Sequence, residues 1–301
     1  MNTATAKAAG SIDALPPWTP RPFLAMREWA ALWRVVLSAP SPREQPPAGV
    51  PVLLVPGFMA GDWSLRPMAR HLRRLGFRTF PSGIRANVGC TTEMIELLER
   101  RLVDIASVTG PVAIVGHSRG GTLARLVAAR HPELVSQVIT LGSPLSHQFG
   151  ASTHVLRIAE ALARRDSPNL LDDDCLRGDC ASRVEAALAE PLPAAVPLTS
   201  VVSLGDGVVY WRYSLQRGAG HIRISGSHNG LASNPRAIAA VARTLASPPT
   251  ESQHPTALPE EPARQETTTF KVEPTRRISA TAADARVRPT GGPGSLPTVH
   301  G

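Results

Sequence analysis

The sequence predicts an α/β protein with a mostly parallel central sheet, helices on both of its faces and a helical insertion late in the sheet. Three observations lead there. Short apolar runs alternate with amphipathic stretches from residue 50 onward, the pattern of strands joined by crossover helices. The runs are continuously apolar, as strands covered on both faces are. Between about 145 and 196 the strand pattern stops, and helical stretches with the acidic "DDDC" and several prolines replace it.

Taken in order, residues 1–20 carry one lysine and no continuous apolar core, so they read as a flexible N-terminus and not as a secretory signal. In 21–37, Met26, Trp29, Trp33 and Val36 recur at helical spacing with Arg27, Glu28 and Arg34 among them. That is an amphipathic helix. It packs on the protein body or, in the sharper reading, lies at a membrane interface as a peripheral contact. "APSPREQPPAG" (39–49) breaks regular structure and marks a linker. "VPVLLVPGF" is the first strand, with Asp62 as N-cap of a helix through about Arg74. "FRTFP" is the second strand, and 93–107 a helix with Ile95, Leu98, Leu102 and Ile105 on one face. "PVAIVG", then a helix over "RGGTLARLVAAR" with Leu123, Leu126 and Val127 inward, then "VSQVITLGSP" continue the alternation. After the insertion come "PLTSVVSLGDG", "HIRISGSHNG" and a last helix opened by Asn234 and Pro235. Residues 247–301 lack apolar periodicity and are rich in proline, threonine and serine, so a disordered tail is expected. The folded domain is therefore read as 50–246.

Composition excludes several classes. A hydrophobic content of 43% suits a folded core, and the net charge of +8 comes from arginines interspersed with acids, with Lys7 and Lys271 the only lysines. No cationic run or aromatic-basic interleaving marks a nucleic-acid partner. No apolar run approaches the length of about 18 residues that a spanning helix needs, so a cytoplasmic protein is expected, with membrane association through 21–37 as the alternative. Cys90, Cys175 and Cys180 are too few for a disulfide framework or an ordinary four-ligand zinc site, although Cys175 and Cys180 are near enough for a local bridge.

The chemistry starts at "GHSRGG" (116–121), where a serine stands between a strand and a helix. Glycines at 116 and 120 let the two elements approach while Ser118 is held in a strained turn at the carboxyl edge of the sheet, beside a helix N-terminus. A serine hydroxyl needs a base, and His228 in "SGSHNGL" follows a late strand with glycines on both sides. His117 adjoins the serine and should diverge from it, and His221 opens a strand. An acid must orient the imidazole. Asp206 in "SLGDGVV" ends the preceding strand; Asp172, Asp173 and Asp174 are its rivals. Negative charge on a substrate oxygen would be met by the backbone amides of Arg119 and Phe58.

These residues resemble the α/β-hydrolase superfamily, and within it the bacterial lipase and esterase branch. "PVLLVPGFMAGDWSLRPMARHLRRLGF", "GHSRGGTLARLVAARHPELVSQVITLGSP", "SLGDGVVYW" and "SHNGLASNP" stand where that branch keeps its oxyanion loop, elbow, acid loop and histidine loop, over roughly 50–246. The chain order Ser118, Asp206, His228 is the order of that fold. Two departures are plain: Pro56 replaces the usual histidine before the oxyanion glycine, and Arg119 replaces the leucine after the serine. An arginine at the mouth would favour an anionic or polar substrate. The resemblance implies hydrolysis of a small-molecule or lipid ester without metal or organic cofactor. A thioesterase or acyltransferase using the same triad, or a non-catalytic lipid-binding protein of the same fold, are the competing readings.

Overall fold

The structure, a computed structural model, describes residues 11–13, 17–21, 23–24, 26–28, 30–31, 49–165 and 167–247. The expected linker from 39 to 48, the tail beyond 247, and Trp29, Trp33 and Val36 lie outside the described residues.

Six strands form one sheet: β1 (Pro51–Val55), β2 (Arg78–Pro81), β3 (Val112–His117), β4 (Val135–Leu141), β5 (Leu198–Val202) and β6 (Gly220–Arg223), in the order β2-β1-β3-β4-β5-β6. Every neighbouring pair is parallel. Parallel neighbours need crossovers, and the intervening segments supply helices. They are α2 (Arg66–Arg74), α3 (Thr91–Thr109), α4 (Arg119–Arg130), α5 (Thr153–Ala163), α6 (Asp173–Arg177) and α7 (Asp179–Ala189), with only a 3-10 turn (Trp211–Ser214) between β5 and β6; α8 (His228–Leu231) and α9 (Pro235–Ala246) follow β6. An earlier helix, α1, contains the described positions 23–24, 26–28 and 30–31.

The strands read as continuous apolar runs because both faces are covered. Leu53, Val55, Val112, Ile114, Val138 and Leu198 meet α3, α4 and α7 through Ile95, Leu98, Leu102, Leu123, Val127, Val184 and Leu188. On the other face Val52, Leu54, Ala113, Val115, Ile139 and Val201 meet α2 and α9 through Met68, Leu72, Ile238 and Val241. Burying a leucine or isoleucine in such a layer contributes roughly 1.5–3 kcal/mol. The final helix is opened as the sequence predicts, with the Asn234 side chain accepting from the Arg236 amide and Pro235 at the first helical position.

The insertion between β4 and β5 is helical, made of α5, α6 and α7. Its attachment to the body uses a residue that apolar periodicity passes over. Arg125, in the middle of α4, is fully buried. Its guanidinium donates to the carbonyls of Ala187 and Leu188 at 3.0 Å each, to that of Glu190, and to Gln216 Oε1 at 2.8 Å. These carbonyls are the ones a helix end leaves unpaired, so a cation from α4 caps α7.

Three expectations are corrected. Asp62 does not cap a helix: its carboxylate accepts from the Ser82 amide and hydroxyl (3.0 and 2.6 Å) and the Gly83 amide (2.9 Å), which ties the loop after β1 to the end of β2. Within the segment expected to be a flexible N-terminus, 1–20, the described residues 11–13 and 17–20 make contacts with the insertion. Ile12 is buried among Leu171, Cys175 and Leu176, its amide donates to the Leu176 carbonyl at 2.8 Å, and Thr153 donates to the Trp18 carbonyl. At two described positions of α1 the burial runs against the periodic reading: Met26 is 72% exposed, whereas Glu28 is 5% exposed. The reason is hydrogen bonding to two loops far along the chain, described next.

Candidate active site

The strand ends converge. Residues after β1 (Pro56 to Ala60), after β3 (Ser118), after β4 (Gly142), after β5 (Asp206) and after β6 (His228) all lie at the carboxyl edge of the sheet, where open parallel sheets bind ligands beside the point at which strand order reverses.

Ser118 has φ 54° and ψ −130° and precedes the first turn of α4. Only Met59 (φ 60°) shares a positive φ among the described non-glycine residues. Such backbone costs on the order of 1–3 kcal/mol and persists where its surroundings over-determine it. Here the Ser118 amide donates to the Leu141 carbonyl and its carbonyl accepts from the Gly121 amide, both at 2.9 Å. The neighbouring glycines are required by close approach. A methyl at Gly116 would collide with the backbone of Gly120 and Gly121, and one at Gly120 with the carbonyls of Val55 and Pro56.

Asp206 and His228 are paired. The Asp206 Oδ2 to His228 Nδ1 distance is 2.7 Å, with both side chains buried, and Asp206 Oδ1 accepts from the amides of Val208 and Val209 at 2.8 Å each. That fixes Nδ1 as the protonated ring nitrogen and leaves Nε2 as the basic one. Burial works against a charged imidazole here, but the charge and hydrogen bond of Asp206, with the Glu28 charge, hold His228 above its ordinary value. The three rivals are engaged in the insertion: Asp172 accepts from the Cys175 amide as a cap of α6, Asp173 pairs with Arg177, and Asp174 accepts from the Cys180 amide at 3.3 Å. Gly142 sits between the parts. Its amide follows the Leu141 carbonyl that holds Ser118, and a Cβ on it would stand 2.8 Å from Asp206 Oδ2 and 3.1 Å from His228 Nδ1. The Ser118 hydroxyl makes no hydrogen bond to the His228 ring among the described residues.

His117 does diverge from the serine, and it has a task. Its Nε2 is 3.0 Å from the His228 carbonyl, and the two rings are 4.8 Å apart. Burial, and then the nearby His228 charge, lower His117 to about 3, so it stays neutral and donates from Nε2.

The amides expected to receive an oxyanion are available. Phe58 N donates to no protein acceptor among the described residues, and Arg119 N is the first amide of α4, with no carbonyl one turn earlier to take its proton. The loop carrying Phe58 is pinned by Asn87: its side-chain amide donates to the Pro56 carbonyl at 2.8 Å, its backbone carbonyl accepts from Met59 at 3.1 Å, and its own amide donates to Ala60 at 2.9 Å. Arg119 does not present its charge at the mouth. The guanidinium donates to Asn87 Oδ1 (2.9 Å), the Asn87 carbonyl (3.2 Å), the Gly89 carbonyl (2.7 Å) and Thr91 Oγ1 (3.1 Å), and burial lowers it to about 10. The substrate preference read from it is therefore withdrawn; the arginine buttresses Asn87, which pins the loop carrying Phe58.

Sequence reasoning missed Glu28. Its Oε1 accepts from the amides of Gly207 (3.1 Å) and His228 (2.6 Å), and its Oε2 from that of Asn229 (2.8 Å). One carboxylate on α1 thus clamps the acid loop and the histidine loop together. No local signal marks it, because its partners lie about two hundred residues away. Asn87 was missed because its partners, Pro56, Met59 and Arg119, belong to other loops and elements, 31 residues away in the case of Pro56.

An all-parallel doubly covered sheet with a strained serine turn after β3 and a paired aspartate and histidine after β5 and β6 defines the α/β-hydrolase class. A family model described as the alpha/beta hydrolase fold matches residues 50–158, and the chain has the fold of that superfamily. Lipase LipV of Mycobacterium tuberculosis is 31% identical over 106 residues, which cover 35% of this chain and only 39% of that protein. The mature form of the Bacillus licheniformis lipase BlEst2 has TM-score 0.52 at 18% identity, covering 69% of this chain and 99% of that one. Its propeptide form has TM-score 0.55 at 16% identity, covering 74% and 56%. No helix among the described residues is long and apolar enough to cross a membrane.

Proposed function

We propose that the protein is a lipase- or esterase-type hydrolase of carboxylic esters, with Ser118 as nucleophile, His228 as general base and acid, and Asp206 as the orienting acid. The observation that carries the proposal is the buried 2.7 Å Asp206–His228 pair beside a serine held at φ 54°. His228 Nε2 takes the proton as Ser118 attacks the ester carbonyl, the amides of Phe58 and Arg119 hold the oxyanion, and the imidazolium then protonates the leaving alcohol. Water repeats the steps on the acyl-enzyme. The names of the similar proteins, which include two lipases, support an ester substrate.

A fluorophosphonate probe should label the wild type and fail to label Ser118→Ala, with the fold unchanged by circular dichroism. Persistent labelling of that variant would remove Ser118 from the nucleophile's role. Asp206→Asn should lower kcat for p-nitrophenyl esters by about four orders of magnitude, and the acyl chain length that gives the highest kcat/KM separates esterase from lipase. Absence of turnover on every ester would favour the non-catalytic reading, for which the exposed Phe23 and Met26 on α1 offer an apolar contact with a lipid surface.

A further inference from the structure

The chain has three cysteines, of which Cys175 and Cys180 are separated by four residues and Cys90 lies far from both in sequence, and folding brings all three together. Cys90 precedes α3, Cys175 lies in α6 and Cys180 in α7. Their sulfurs lie within 4.8 Å of one another, and none is oxidised to a disulfide. We propose that Cys90, Cys175 and Cys180 form a three-sulfur site for a single thiophilic cation of the zinc class.

The spacing fits that role. With zinc–sulfur bonds of about 2.3 Å, tetrahedral ligands stand about 3.8 Å apart and trigonal ones about 4.0 Å. The Cys90 and Cys180 sulfurs are 3.7 Å apart. A disulfide would need about 2.05 Å. No histidine or carboxylate joins the group among the described residues, so the donor set is purely soft and selects zinc, cadmium or cuprous ions over magnesium or calcium. Cys175 and Cys180 are buried beside Ile12, Leu171 and Leu176, while Cys90 is half-buried and gives a route in. On binding, each thiol releases its proton to solvent, and three thiolates with a divalent cation carry one net negative charge. The Arg119 guanidinium answers that charge: it holds the Gly89 carbonyl and the Thr91 hydroxyl, the residues on either side of Cys90. A bound ion would join α6 and α7 to the segment through which Asn87 grips the oxyanion loop. This inference does not depend on the ester-hydrolase reading.

The test uses the full-length chain, reduced and freed of metal. Cadmium ion should produce a thiolate-to-metal charge-transfer band in the ultraviolet that saturates at a single equivalent per chain and is displaced by zinc ion. Replacing any one cysteine by serine should weaken zinc binding by at least about tenfold in competition with a chromophoric chelator, while Ser118→Ala binds as the wild type does. Should the serine variants fold poorly, the wild type decides: zinc ion should slow alkylation of all three thiols by iodoacetamide, and EDTA should restore it. Absence of the band, a band unchanged in Cys180→Ser, thiols that zinc leaves unprotected, or a native chain that has already lost two thiols to a disulfide overturns the proposal.

Discussion

Glu28 shows what a single side chain can do for a site it does not enter. Its carboxylate accepts three backbone amides, two of them at 2.6 and 2.8 Å from the consecutive residues His228 and Asn229, and charge-assisted bonds of this kind are roughly twice as strong as neutral ones. It sets where the imidazole begins, and its charge helps to raise His228. In the proposed mechanism His228 must be neutral to accept the Ser118 proton. The acid limb of kcat/KM should therefore lie above the ordinary imidazole value of 6.5, with activity lost as pH falls through it. Glu28→Gln keeps the shape and removes a charge that favours the imidazolium, so the limb should move to lower pH. The plateau should drop on the order of tenfold, since one carboxylate oxygen becomes a donor facing amides. A pH–rate profile reads both effects, and a plateau drop without movement of the limb would assign Glu28 a purely structural part.

At the scale of elements, the strands and the helices that follow them were legible because their signal is local. Continuous apolar runs gave β1, β3 and β5, and "RGGTLARLVAAR" became α4 over the same residues. The misreadings share one cause, a polar side chain whose partner is distant. Glu28 was noted only as a charge in an amphipathic stretch, Arg119 was read as a charge at the mouth, Asp62 was read as a cap, and Arg125 drew no notice; each is satisfied by backbone groups of another element. The positions of Ser118, Asp206 and His228 could be read because each follows a strand in a glycine-containing turn, whereas Asn87 and His117 act through contacts that no spacing encodes. Arg125 gives the element-scale prediction. Arg125→Ala leaves the last carbonyls of α7 buried without their donor, a loss on the order of 3 kcal/mol. Urea unfolding should show a lower midpoint at unchanged slope. Arg125→Lys should recover only part of it, because an ammonium cannot span three carbonyls and Gln216 Oε1 from one plane.

Across the whole molecule, the N-terminal segment ties the helical insertion to the sheet edge that carries Asp206 and His228. Ile12 is hydrogen-bonded to Leu176 in α6, Asp13 pairs with Arg177 at 2.8 Å, the Trp18 carbonyl receives the Thr153 amide and hydroxyl at the start of α5, and Glu28 then holds the loops of Asp206 and His228. The segment precedes the sheet in sequence, and none of its described residues adds a strand to it. Among the described residues, the two cores of the sheet contain none before Val52. A chain beginning at Gly49 should therefore keep its sheet and its far-ultraviolet circular dichroism while losing both the clamp and the buried Ile12. Its esterase kcat should fall by more than that of Glu28→Gln, on the order of a hundredfold or beyond, because the acid and histidine loops lose three amide acceptors at once and the insertion loses its anchor. Proteolysis should show the difference in space: cleavage within α5 to α7 and near residues 203–208 should accelerate in the shortened chain, while β1, β3 and β4 stay protected. Equal kcat in the shortened and full chains would mean that the two loops hold their own geometry and that Glu28 only fastens α1 to them.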